Sequence, residues 1–227
     1  MTKKIIVTSG YTTEPIDHVR SLTNRSTGRL GAQIAGDLSE QGAQVYYVYG
    51  GHTPPVFNAN VKLMPILTID DLETTLTELL QGEAIHGVVH AMAVSDYRPV
   101  AMINDGERVP IPSKISSASE ELTLVFAKNK KVISIIKALS PTTTLVGFKL
   151  LAGVSQQELI DVARQAMAKH GADIMVANDM DNITANRHHA LIIHGEEMTA
   201  ANTKAGIAKL LREKLLGNGA GDVATGD

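Results

Sequence analysis

The chain has 227 residues, with 21 Lys and Arg against 24 Asp and Glu, a formal charge of -3 and no cysteine. That balance gives no bulk electrostatic attraction to nucleic acid, and the missing cysteine excludes disulfides, thiolate metal sites and a cysteine nucleophile. No apolar run approaches the roughly 20 residues of a membrane span, so a cytoplasmic protein with neither nucleic-acid nor membrane partner is expected.

Residues 4–8 (KIIVT) have the pattern of a buried strand bounded by Gly10. A long polar loop follows, and Ser26 or Thr27 is placed to cap a helix carrying Leu30, Ile34, Ala35 and Leu38 on one face. Residues 43–49 (AQVYYVY) form a second strand, so the chain opens as a right-handed β-loop-α-β crossover. Residues 61–66 and 85–91 are further strand candidates, with a helix over 70–80 between them. Residues 99–119 contain Pro99, Pro110 and Pro112, a turn at Asn104-Asp105-Gly106 and no helical pattern. A stretch this long is either a functional lid or an irregular surface insertion. Strands over 122–127, 144–148, 174–178 and 190–193 then alternate with helices near 132–139, after the capping box Ser155-Gln-Gln-Glu158, and over 199–215. The pattern predicts one three-layer, Rossmann-like α/β domain over 1–216, with a mainly parallel central sheet and an irregular lid over 98–121. Residues 217–227, rich in Gly and Ala, read as a disordered tail.

Five places carry residues suited to chemistry. The first is the opening loop: Thr8, Ser9, Thr12 and Thr13 supply hydroxyls, Asn24 an amide, and Arg20, Arg25 and Arg29 positive charge. It sits at the carboxyl end of a strand, where open α/β sheets bind ligands, although a network of local turns with surface arginines has the same composition. Too many residues separate Gly10 from Gly28 for a GxGxxG fingerprint. The second is Ala91–Pro99, where Asp96 either holds a hydroxyl, an amine or a hydrated Mg²⁺, or caps the loop. Lys114 in the insertion, Phe148 after a strand and Asn178-Asp179 after another complete the set. Each has a bland alternative: a surface lysine, a core ring and a turn. The eight histidines form no HExxH, and neither a GxSxG elbow nor a GxxxxGK[ST] loop is present.

These residues resemble the phosphopantothenoylcysteine synthetase family. The likeness runs from Thr8-Ser9-Gly10 through Glu14-Pro15-Ile16-Asp17, Arg20 and Asn24-Arg25-Ser26-Thr27-Gly28. It continues through Ala93-Val-Ser-Asp96-Tyr-Arg-Pro99, Pro112-Ser-Lys114-Ile115, Val146-Gly-Phe148-Lys149 and Val176-Ala-Asn178-Asp179. The resemblance implies condensation of 4'-phosphopantothenate with L-cysteine through an acyl-nucleotidyl intermediate, with CTP and Mg²⁺ as the usual bacterial co-substrate and cofactor and ATP as the animal counterpart. By position it implies that Asn24, Arg20 and Ala93 surround the reacting carboxyl. Asn24, Arg25, Ser26 and Thr27 would hold the phosphopantothenoyl group, and Ser9, Gly10, Asp96, Lys114, Phe148 and Asn178 the nucleotide. It names no metal ligand. A homodimer and functional pairing with a separate phosphopantothenoylcysteine decarboxylase are also implied. The lid departs from the family's Lys-Ile-Lys-Lys run, having Lys114-Ile-Ser-Ser117 instead, and Gly147-Phe148-Lys149-Leu150 is nearer the animal form. Two other classes remain open on the residues alone: an NAD(P)-dependent reductase and a nucleotide-binding protein without turnover.

Overall fold

The structure is a computed structural model and describes residues 2–118, 120–184 and 187–217. Five parallel strands lie in the first three-quarters of the chain, two of them joined by a loop without a helix, and a sixth precedes the antiparallel edge. β1 (Lys4–Ser9) leads into a short hairpin, β2 (Thr13–Pro15) and β3 (Ser21–Thr23), and then into α1 (Arg29–Glu40) and β4 (Gln44–Gly50). β5 (Val61–Ile66), α2 (Ile69–Gly82) and β6 (Gly87–His90) follow. β7 (Tyr97–Asn104), β8 (Glu107–Val109) and β9 (Thr123–Lys128) build a separate three-stranded antiparallel sheet. The chain then returns through α3 (Ile133–Leu139), β10 (Thr144–Leu151), α4 (Gln156–His170) and β11 (Ile174–Asp179). It ends with β12 (Ala190–His194), β13 (Glu197–Ala201) and α5 (Lys204–Leu216).

The central sheet has the order β13-β12-β11-β10-β6-β1-β4-β5, parallel from β5 to β11 and antiparallel at β12 and β13. Alternate residues of β1 separate its two faces. Ile6 joins Leu72, Leu76, Ile136 and Leu159 beneath α2, α3 and α4, while Ile5 and Val7 join Ile34, Leu38, Ile207 and Leu211 beneath α1 and α5. Burial on both faces explains why the central strands are continuously apolar rather than alternating. The three-layer, mainly parallel α/β fold is the one expected from the residues.

Several local expectations change. α1 is not capped by Ser26 or Thr27: its N-cap is Gly28, in the left-handed region at φ 66°, with no side-chain cap bond. A Cβ at Gly28 would collide with Thr53, so close backbone packing overrides the usual side-chain cap. The capping box at Ser155 is half made: Ser155 Oγ accepts the Glu158 N–H at 3.2 Å, but among the described residues the Ser155 N–H makes no return bond, while Thr68 and Asp71 form the reciprocal pair ahead of α2. The insertion is not irregular throughout. Asp105 and Gly106 take φ of 50° and 79°, the two-residue turn that Asp-Gly favours, and join β7 to β8. The strand expected over 122–127 pairs with β7 rather than with the central sheet. The helix expected from residue 199 begins at Lys204, because Glu197–Ala201 continues a hairpin with β12 and Thr203 accepts the Gly206 N–H at 3.0 Å. The predicted tail lies outside the described residues beyond Gly217.

Candidate active site

Successive strands step outward from β1 to β4 and β5 on one side, and from β6 to β10 and β11 on the other. The chain order therefore reverses between β1 and β6, and open sheets bind ligands outside the carboxyl ends of strands at such a point. Besides a bond from Thr12 Oγ1 to Ser95 Oγ at 3.4 Å, seven hydrogen bonds stitch the two strand ends together. The Ala91 N–H donates to the Thr8 carbonyl at 3.2 Å, the Met92 N–H to Thr8 Oγ1 at 3.3 Å and the Ala93 N–H to the Gly10 carbonyl at 2.9 Å. The Thr12 N–H donates to the Ala93 carbonyl at 3.3 Å, and the Ser95 N–H to Thr12 Oγ1 at 3.0 Å. Thr8 Oγ1 lies 2.9 Å from His90 Nδ1. Burial lowers the His90 pKa to about 4, so the ring is a neutral spacer at physiological pH.

The seventh bond brings two sequence-predicted residues together: Asn24 Nδ2 donates to the Ala93 carbonyl at 3.2 Å. Asn24 directly follows β3 and is exposed, and among the described residues nothing donates to its Oδ1. One edge of the amide is thus fixed by backbone while its oxygen and second N–H face outward. Such an amide can grip a carboxyl group and an anhydride formed from it.

Beside it lies a glycine cradle that sequence spacing alone did not reveal. Gly10 has φ 81°, and a Cβ there would collide with Thr53 Oγ1 and the Gly50 carbonyl. A Cβ on Gly28 would strike Thr53 as well, and one on Gly31 would strike Ser9. Ser9 Oγ donates to the Gly28 carbonyl at 2.8 Å. Gly10, Gly28 and Gly31 therefore pack strand against helix as a dinucleotide turn does, with residues 11–27 inserted after the first glycine. The visible signal was Gly28-x-x-Gly31; Thr53 carried none. Exposed Arg25 and Thr27 and half-buried Ser26 flank the uncapped start of α1, whose free N–H groups favour anions.

The hairpin's other end meets the insertion. Asp17 accepts the Val19 N–H at 2.8 Å and the Arg20 N–H at 2.7 Å on Oδ1, and Arg20 NH1 at 2.8 Å and the Ile115 N–H at 3.0 Å on Oδ2. These donors, the Ile115 N–H foremost, hold the carboxyl pKa down to about 2. Arg20 NH1 also reaches the Ile115 carbonyl at 3.3 Å, and the His18 N–H donates to the Ser113 carbonyl at 2.9 Å. Arg20 and Asn24 are separated by about 13 Å of extended chain, so Arg20 stands at the far end of the hairpin from the Asn24–Ala93 contact. In the same hairpin Glu14 is buried, with Oε1 unpartnered among the described residues, and burial pushes its pKa up.

The residues read as a nucleotide group do not all converge. Asp96 pairs with Lys131 rather than with Lys114. Lys130 pairs with Glu73 and, at 3.5 Å, with Asp70. Phe148 is half-buried and packs on the cluster beneath α1 and α5. Asn178 is buried and donates to the His189 carbonyl at 3.4 Å. Asp179 closes a loop: its carboxylate accepts the Gly153, Val154 and Asp181 N–H groups, which hold its pKa below the ordinary value. Among the described residues no three His, Cys, Asp or Glu side chains gather as a metal cage. Mg²⁺ often binds through nucleotide phosphates plus one or two carboxylates, and exposed Asp96 fits that requirement. Two hollows of about 590 and 530 Å³ lie elsewhere, the first along Pro65–Leu67 and α2, the second between α1 and residues 54–57. Neither contains Asn24, Ala93 or Asp96, so convergent polar groups, not hollow volume, mark the site.

Fold and site together define a Rossmann-like α/β domain with its polar loops gathered at the β1/β6 switch point. The chain belongs to the family of the DNA/pantothenate metabolism flavoprotein C-terminal domain, whose model matches residues 1–217, in agreement with the resemblance to phosphopantothenoylcysteine synthetase. The crystal structure of the DNA/pantothenate metabolism flavoprotein from Streptococcus pneumoniae is similar, with a TM-score of 0.87 and 36% identity over 95% of this chain and 99% of that one. The coenzyme A biosynthesis bifunctional protein of Thermococcus kodakarensis is 31% identical over 84% of this chain and 45% of its own length. Its Escherichia coli K12 counterpart is 27% identical over 93% of this chain and 51% of its own length. The chain thus spans about half the length of these curated relatives. Among the described residues no helix is long and apolar enough to cross a membrane.

Proposed function

We propose that the chain is a nucleotide-dependent ligase that condenses 4'-phosphopantothenate with L-cysteine. The observation that carries this reading is the Asn24–Ala93 contact at the switch point, where an outward amide stands beside a glycine cradle and an uncapped helix start. Relatives that carry coenzyme A biosynthesis in their names support the substrate class.

A carboxylate resists attack by an amine until it is activated. In the first step an oxygen of the acid attacks the α-phosphorus of CTP, and pyrophosphate leaves. In the second the cysteine nitrogen attacks the acyl carbon, the C–O bond to CMP breaks, and the amine proton is released. Both steps concentrate negative charge, so they call for fixed amides and cations rather than a nucleophilic triad. Asn24 orients the carboxyl and then the anhydride, with Ala93 holding the amide in place. Ser9, Gly10 and the start of α1 form the anion cradle, with Arg25, Ser26 and Thr27 at its edge. Lys114 supplies lid charge, and Asp96, Phe148 and Asn178 line the nucleotide side. Mg²⁺, when bound, neutralises phosphate charge, with Asp96 the carboxylate suited to hold it. A cytoplasmic homodimer working with a separate decarboxylase completes the reading.

The test is pyrophosphate release from 4'-phosphopantothenate, cysteine and Mg²⁺ with CTP or ATP. Release with CTP is expected, release with ATP alone would reassign the nucleotide, and no release with either would refute the ligase reading. A reductase would instead bind NADPH in a spectroscopic titration.

A further inference from the structure

The tip of the β2–β3 hairpin carries a carboxylate that the proposed chemistry does not use. Asp17 accepts four N–H groups, three from its own turn and one from Ile115, a residue almost a hundred positions away in the insertion. Two further bonds join the same pieces, His18 to the Ser113 carbonyl and Arg20 to the Ile115 carbonyl. Ile115 is only 5% exposed although it belongs to neither core cluster, so its side chain is buried locally at this junction. Residues 113 and 115 are thus pinned on both sides of Lys114.

The lysines of this region differ in their freedom. Lys130 is engaged by Asp70 and Glu73, and Lys131 by Asp96. Lys114 is exposed and joins no ion pair among the described residues. Its backbone is fixed while its ammonium is unengaged, the state that suits a group positioned for an anionic ligand. Ser116, at the second lysine position of the usual lid run, lies beyond the pinned residues.

We propose that Asp17 is a positioning residue, clamping Ser113–Ile115 to the hairpin so that Lys114, rather than Lys130 or Lys131, is the lid cation presented to substrate. The inference rests on the ligase reading for what Lys114 meets, but the clamp can be tested without it. Asp17→Asn keeps the size of the side chain while replacing an acceptor oxygen and removing the charge.

Hydrogen–deuterium exchange on the ligand-free protein reads the clamp directly. The Ile115 amide should exchange at least tenfold faster in D17N, with β1 and β10 amides unchanged; equal exchange at Ile115 overturns the clamp. If D17N does not fold, Asp17→Ser keeps a short acceptor for its own turn but lacks the oxygen that takes the Ile115 N–H, and the same faster exchange is expected; unchanged exchange again overturns it. Steady-state kinetics then asks whether Asp17 acts through Lys114. D17N and K114A should each raise the nucleotide KM about tenfold with a smaller effect on kcat, and the double variant should match K114A alone. Multiplying losses would overturn action through Lys114. Wild-type protein that releases no pyrophosphate refutes the ligase reading, whereas the exchange result still decides the clamp.

Discussion

The two ends of the β2–β3 hairpin hold their neighbours by different means. At its base, a neutral amide donates a single bond to the Ala93 carbonyl and keeps an acceptor free. At its tip, a charged carboxylate takes four donors and draws in the insertion. The base leaves polar groups free, whereas the tip satisfies its own. Two carboxylates of this hairpin show the same contrast: Asp17, satisfied by N–H groups, has a lowered pKa, while Glu14, buried with an unpartnered oxygen, has a raised one. Neighbouring acids in one small element are thus driven in opposite directions, Asp17 by the N–H groups it accepts and Glu14 by burial.

The largest effect expected is at the base. Asn24→Ala should lower kcat by about 10²- to 10³-fold, the scale for removing a group that stabilises developing charge, with nucleotide binding little changed in a direct titration. An unaltered kcat would make the Asn24–Ala93 contact purely structural. Gly10→Ala tests whether the base depends on the cradle. It forces a left-handed residue against Thr53 and the Gly50 carbonyl, so denaturant melts should show at least about 1–3 kcal/mol of lost stability. At the tip, Lys114→Ala should weaken nucleotide use about tenfold while Lys130→Ala leaves it intact; the reverse pattern would move the lid cation to Lys130.

The smallest effects are in the pH dependence of stability. The Asp17 pKa is depressed to about 2, so its contribution is complete above the ordinary carboxylate pKa and disappears as pH falls toward 2. D17N should flatten that acid limb. Glu14 has the opposite sign: its raised pKa favours the fold at low pH, and that advantage is lost as pH rises above 4.5. Glu14→Gln should therefore improve stability at neutral pH relative to acid. His90, with a pKa lowered to about 4 from 6.5, adds a loss of stability as pH falls through that interval, because only the unfolded chain protonates there. A His90→Gln melt series that keeps the full wild-type slope between those values would exclude His90 as its source.

Much of this was legible in advance where a local pattern has one physical outcome. Apolar runs such as KIIVT and IMVAND become buried parallel strands, Asp105-Gly106 becomes a tight hairpin, and Gly171 ends α4 in the left-handed conformation. Asn24 and Ala93 meet in the fold, although spacing alone could not bring residues 24 and 93 together. Other features were hidden because distant partners decide them. Gly28 displaced Ser26 and Thr27 as the cap since Thr53 leaves no room for a side chain. Residues 197–201 have an exposed, ambiguous composition, and only pairing with β12 makes them a strand. The ion pair of Asp96 with Lys131 was equally hidden, since the chain after β9 delivers that lysine from 35 positions away.

By itself, then, the sequence determined the layer architecture, the strand-end location of the polar loops and the family. Periodicity and turn chemistry are local, and the motifs lie within short stretches. The tertiary structure decided which glycines form one cradle, that the insertion is a sheet, and that Asp17 reaches across to Ile115. These depend on pairings between residues far apart in the chain, whose contact is set by strand order and close packing rather than by any local preference.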